Sequence, residues 1–116
     1  MIKCIAIDDD PLFLKMIQVY FREMKSARLM ETFTNPVEGI MAVVKAKPDV
    51  LLLDYEMPYL DGIEALETMD RPPKVIVISG HQKSPVFENV KISKFIPKME
   101  VQSAEILEKA IVEITQ

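Results

Sequence analysis

Two uninterrupted apolar runs, Val50-Leu51-Leu52-Leu53 and Val75-Ile76-Val77-Ile78, constrain what this chain can fold into more than any other feature. A strand with one solvated face alternates apolar and polar residues, so a strand that is apolar at every position must be covered on both faces. Central strands of a parallel sheet meet that requirement, because each parallel connection needs a crossover and the crossovers lay helices on both sides. The intervening segments supply those crossovers. Ile2 to Ile7 reads as a first strand, and Asp10-Pro11 opens a first helix, with the carboxylate capping free amides and proline fitting the first turn. Phe13, Met16, Ile17, Tyr20, Phe21 and Met24 recur at helical spacing and form its core-facing stripe. Arg28 to Phe33 is a weaker second strand, and Asn35-Pro36 opens a second helix through about Lys45. Asp49 to Leu53 is the third strand, Gly62 to about Met69 a short third helix, and Val75 to Ser79 the fourth strand after an Arg71-Pro72-Pro73 turn. Pro85 limits any helix between Gly80 and Ser93 to a turn or two, Lys94 to Pro97 is an edge-like last strand, and a closing helix starts at Ser103. Ile106, Leu107, Ala110, Ile111 and Ile114 form that helix's apolar face. The alternation implies right-handed βαβ units and an open parallel α/β sheet with helices on both faces.

The 116 residues make one domain, 1–116, with no linker, repeat or low-complexity tract to divide it. Cys4 is the only cysteine and lies in an apolar run, which implies a buried thiol and a reducing, cytoplasmic setting. The apolar run at the N-terminus is too short for a signal peptide or a membrane span and ends in three carboxylates. A net charge of -4, without a basic segment, argues against nucleic acid as a direct ligand.

Functional groups of open α/β sheets gather at the carboxyl ends of the strands, near the point where strand order reverses. Asp8, Asp9 and Asp10 leave the first strand, Asp54 the third, Ser79 the fourth and Lys98 the fifth. Asp8, Asp9 and Asp54 packed in one crevice would repel each other unless a cation joined them. Mg²⁺ suits that need, since it prefers oxygen ligands and retains waters. Lys98 adds a mobile positive charge that can pair with Asp54 at rest and with a phosphoryl oxygen afterwards, and Ser79 can donate a hydroxyl hydrogen bond to the same group. A carboxylate can attack an activated phosphate when metal and lysine neutralise the developing charge, giving a hydrolysable acyl phosphate.

The blocks IAIDDDP, LLLDYEMPYLDG, VIVIS and KFIPK, in this order and spacing, closely resemble the receiver domain of two-component response regulators over the whole chain. DYEMPYLDG is the most specific of the four. The resemblance implies a flavodoxin-like (βα)5 doubly wound sheet of strand order 2-1-3-4-5. It implies that Asp54 accepts a phosphoryl group from a sensor histidine kinase or phosphotransfer protein, and that Asp8, Asp9, Asp54 and the backbone carbonyl of Glu56 hold Mg²⁺. Ser79 and Lys98 would bind the phosphoryl oxygens, and Phe95 would change rotamer together with Ser79. The signalling face would comprise the fourth helix, fifth strand and fifth helix, through which two copies could pair. Beyond self-phosphorylation and autodephosphorylation, no enzyme activity is implied. Pro72-Pro73 and PVFENVKI resemble receivers attached to LytTR-type DNA-binding domains, although no such output domain is present in these residues.

The pattern departs from the family at Met99, which follows Lys98 where proline is usual and the bond is typically cis. A cis bond before a non-proline residue costs about 3 kcal/mol, so either a trans bond with a shifted loop or a strained cis bond is expected. Glu56 and His81 lie two residues beyond Asp54 and Ser79, where receivers admit an attacking water, and are candidates for setting phosphoryl lifetime against a reading as solvated loop residues. Asp10 reads as a helix cap rather than a ligand, Asp61 as a turn residue and the methionines as core filler, with Met57 inside the acceptor loop. Two alternatives are a pseudo-receiver that binds protein without phosphorylation, and a phosphatase resembling the haloacid dehalogenases with Asp8 as nucleophile. In the second, Pro11 stands where glycine is expected and DYEMPYLDG goes unexplained.

Overall fold

The computed structural model describes residues 1–54, 63–80 and 91–116. The expectations for Glu56, Met57, Asp61, His81, Pro85 and the brief fourth helix fall outside the described residues. Strands β1 (Ile2–Ile7), β2 (Ala27–Phe33), β3 (Val50–Asp54), β4 (Lys74–Ser79) and β5 (Lys94–Pro97) form one sheet in the order β2-β1-β3-β4-β5. Every pairing is parallel. This is the doubly wound α/β sheet expected from the apolar runs, with strand order reversing at β1.

The alternate residues of the inner strands enter two separate cores. Cys4 and Ala6, Val50 and Leu52, and Ile76 and Ile78 face one side, packed with Leu14, Ile17 and Phe21 of helix α1 (Pro11–Arg22) and Leu107, Ala110 and Ile111 of helix α3 (Ala104–Thr115). Ile5 and Ile7, Leu51 and Leu53, and Val75 and Val77 face the other, packed with Ile40 and Val43 of helix α2 (Pro36–Ala46) and with Leu66. A strand supplying both cores has no solvated face, which is why its sequence cannot alternate.

Each helix starts where its capping chemistry places it. The side chains of Asp10, Asn35 and Ser103 accept from the amides of Leu12 at 3.0 Å, Glu38 at 3.1 Å and Ile106 at 3.2 Å. Helix α2 ends on Lys47 at φ 52°, a left-handed residue without the glycine usual there. Gly39 lets α2 lie close on the sheet, since a Cβ there would come 2.5 Å from Ile7 Cδ1 and 3.2 Å from Phe33 Cβ.

Several expectations need correction. The expected short third helix is present over Ile63–Thr68 with 3₁₀ geometry, the tighter form common in short connectors. On α3, Ile106 is 44% exposed because it lies at the margin of the stripe formed by Leu107, Ala110, Ile111 and half-buried Ile114. On α1, Leu14 is buried though the sequence stripe omitted it, and Met24 reaches the core from beyond the helix end. No peptide among the described residues is cis, so Lys98–Met99 is trans and opens a 3₁₀ turn, Lys98–Glu100.

Candidate functional site

Strand register builds the site. Asp54, the last residue of β3, lies opposite Ile78, so Ser79 extends one residue further; Ser79 lies opposite Pro97, so Lys98 extends one further still. Asp8 follows β1 directly, its amide donating to Phe33 O of β2 at 3.0 Å. The strand ends thus deliver Asp8, Asp54, Ser79 and Lys98 to the carboxyl edge of the sheet beside the reversal at β1, as expected for an open α/β sheet.

Asp8 and Asp54 are each 3% exposed and Ser79 is fully buried, whereas Asp9 is exposed. One carboxylate oxygen from each of Asp8, Asp9 and Asp54 lies within 4.8 Å of the other two. Asp8 Oδ1 accepts from the Asp10 amide at 2.8 Å, while the Asp10 side chain caps α1. Asp8 Oδ2 lies 3.0 Å from Lys98 Nζ as an ion pair but accepts no directed hydrogen bond, although it is buried. Asp54 Oδ2 is 3.8 Å from the same nitrogen. Lys98 therefore sits nearer Asp8 than the expected partner Asp54. Burial pulls the Lys98 pKa down, but the contact with Asp8 and the charges of Asp8, Asp54 and Asp10 outweigh it and hold the ammonium above its usual range.

Two arrangements were not visible in sequence. Lys98 Nζ stands 4.7 Å from the centre of the Phe13 ring, a contact that the helical spacing of Phe13 does not signal. Phe13 does pack on that core, so its spacing signal was correct but incomplete. The Lys98–Asp8 pair depends on sheet register, which single-residue patterns do not encode. Phe95 is half-buried on the core shared with α2 and lies opposite Val77.

An all-oxygen set of three carboxylates, in which one buried oxygen of Asp8 meets only the Lys98 ammonium among the described residues, fits a small hard dication. Such a cation would take the charge that Lys98 now offsets. With a cation and a lysine beside one buried carboxylate, the arrangement can stabilise negative charge that develops on a transferring group.

Among the described residues, no helix is long and apolar enough to cross a membrane. The chain is 40% identical over 70 residues to the transcriptional regulatory protein BtsR of Escherichia coli strain K12, a match covering 60% of this chain and 29% of that protein. The match therefore spans less than a third of the length of this relative. Its fold matches the signal receiver domain of the response regulator NarL from Mycobacterium tuberculosis with a TM-score of 0.83, at 22% identity over 98% of this chain and 95% of that one. It also matches the response regulator domain of Thermotoga maritima CheB with a TM-score of 0.77, at 25% identity over 99% of this chain and 96% of that one. The family model of the response regulator receiver domain matches residues 4–111, and the chain belongs to that family.

Proposed function

We propose that this chain, as one receiver domain over residues 1–116, accepts a phosphoryl group on Asp54 from a sensor histidine kinase or phosphotransfer protein. Mg²⁺ would be held by Asp8, Asp9, Asp54 and the backbone carbonyl of Glu56. The observation that carries this reading is the convergence of the Asp8, Asp9 and Asp54 carboxylates within 4.8 Å, with Lys98 against two of them.

An Asp54 carboxylate oxygen attacks the phosphorus as the donor's bond to phosphorus breaks, and the donor leaves with its electron pair. Mg²⁺, when bound, offsets the negative charge that develops on the transferring oxygens. Lys98 moves from Asp8 and Asp54 onto one phosphoryl oxygen, and the Ser79 hydroxyl donates to another. Water later attacks phosphorus, the bond from phosphorus to the Asp54 oxygen breaks, and phosphate leaves with the Asp54 carboxylate restored, with Glu56 and His81 setting the rate. Ser79 and Phe95 change arrangement together and alter the face that includes β5 and α3, where two copies pair. The Pro72-Pro73 turn supports kinship with LytTR-type regulators, and the acidic charge of -4 leaves DNA contact to another domain. A buried lone thiol at Cys4 supports a cytoplasmic setting.

The test is incubation with acetyl phosphate and Mg²⁺, read by intact mass and by locating the modified residue. Wild type is expected to gain one phosphoryl group on Asp54, and Asp54→Asn none. No gain in wild type would favour a pseudo-receiver, and phosphate on Asp8 would favour the dehalogenase-like reading.

A further inference from the structure

Lys98 Nζ has three partners in the described structure: Asp8 Oδ2 at 3.0 Å, Asp54 Oδ2 at 3.8 Å and the Phe13 ring at 4.7 Å from its centre. The two carboxylates belong to the proposed phosphoacceptor site, but the ring has no part in the chemistry set out above. Phe13 comes from the first turns of α1, and its side chain is fixed by packing on the core beneath that helix. A ring held from one side can offer its electron-rich face to a cation on the other. A leucine could fill the same place in the core but would offer no such face.

We infer that Phe13 is a positioning residue which, by a cation–π contact, seats Lys98 on Asp8 and so sets the divalent cation concentration at which the site loads. This inference rests on the reading of Asp8, Asp9 and Asp54 as a Mg²⁺ site. Lys98 occupies the same buried Asp8 oxygen, Oδ2, whose acceptor capacity is otherwise unfilled. A dication that binds this oxygen competes with the ammonium for its negative charge. Any contact that holds Lys98 in its present seat therefore counts against the dication, and a contact of the Phe13 kind alters an equilibrium by about two- to five-fold. Lys98 freed from Asp8 remains tethered beside Asp54, where it is available to the incoming phosphoryl group.

The test compares wild type with Phe13→Leu and Phe13→Tyr, all as full chains. Lys98 ε-methylene protons held over a ring are shifted upfield in the proton NMR spectrum. That shift is expected in wild type and Phe13→Tyr and should vanish in Phe13→Leu; its absence from wild type overturns the inference. Titration with Mg²⁺ by calorimetry should show Phe13→Leu binding about two- to five-fold more tightly, with Phe13→Tyr near wild type. Unchanged or weaker binding by Phe13→Leu overturns the inference. In a Lys98→Met background the Phe13→Leu substitution should make no difference, because the contact is already lost; an equal difference in both backgrounds assigns the effect to packing and overturns the inference. Wild type that binds no Mg²⁺ refutes both this inference and the phosphoacceptor reading. Failure to phosphorylate with all these results as expected refutes that reading alone.

Discussion

Lys98 and Cys4 show how the same burial acts in opposite directions on two titrating groups. Burial lowers the Lys98 pKa, yet its contacts with Asp8 and the neighbouring carboxylates raise it above the ordinary 10.5. Its ion pairing therefore contributes in full at neutral pH and is lost only as the pH rises through the folded-state value. Cys4 has no counter-charge: burial first, and the Asp49 carboxylate second, push its thiol from 9.0 up to about 12. Above the lower value the unfolded chain gives up the thiol proton while the native chain keeps it, so stability falls with rising pH at up to about 1.4 kcal/mol per unit. Denaturant titrations of wild type and Cys4→Ala at several alkaline pH values should differ in slope by that amount, with wild type steeper. Parallel slopes would refute the assignment.

At the scale of elements, helix α2 contains two opposed backbone choices. Gly39 weakens the helix by about 1 kcal/mol relative to alanine, but an alanine Cβ would press on Ile7, which is buried and packed. Overpacking costs more than propensity returns, so Gly39→Ala is expected to lower stability by about 1 kcal/mol in chemical denaturation. Lys47 carries the left-handed C-terminal residue with a side chain that such a conformation disfavours. Lys47→Gly is expected to raise stability by about 0.5 kcal/mol, part of the relief being offset by the greater freedom of glycine in the unfolded chain. Neither effect is legible in the sequence. Val50 to Leu53 declared its strand because burial on both faces leaves no other pattern, and Asp10, Asn35 and Ser103 declared helix starts through local hydrogen bonds. The 3₁₀ geometry of Ile63–Thr68 and the exposure of Ile106 depend on what packs alongside, which local spacing does not carry.

Across the whole molecule, the carboxyl edge of the sheet concentrates negative charge that the remaining surface does not balance, given a net charge of -4. A dication bound there should stabilise the native state by mass action, by about 1.4 kcal/mol at ten times its dissociation constant. Thermal unfolding with and without Mg²⁺ checks this, and Asp8→Asn should lose the increment. The placement of Asp8, Asp54, Ser79 and Lys98 at one edge is legible because each ends or directly follows a strand, whereas their pairings are not. Glu108 of α3 shows the same limit: its Oε2 accepts from the amides of Lys25 at 2.8 Å and Ser26 at 2.7 Å, more than eighty residues away in the chain. The strand ends advance as a staircase, Asp54 opposite Ile78, Ser79 opposite Pro97, then Lys98. Side chains alternate between faces along a strand, so a slip of one residue in β3 or β4 would turn a step of that staircase into the wrong core. A mispaired chain would then scatter its carboxylates, so the cluster of Asp8, Asp9 and Asp54 can assemble only in a copy whose strands are paired in step.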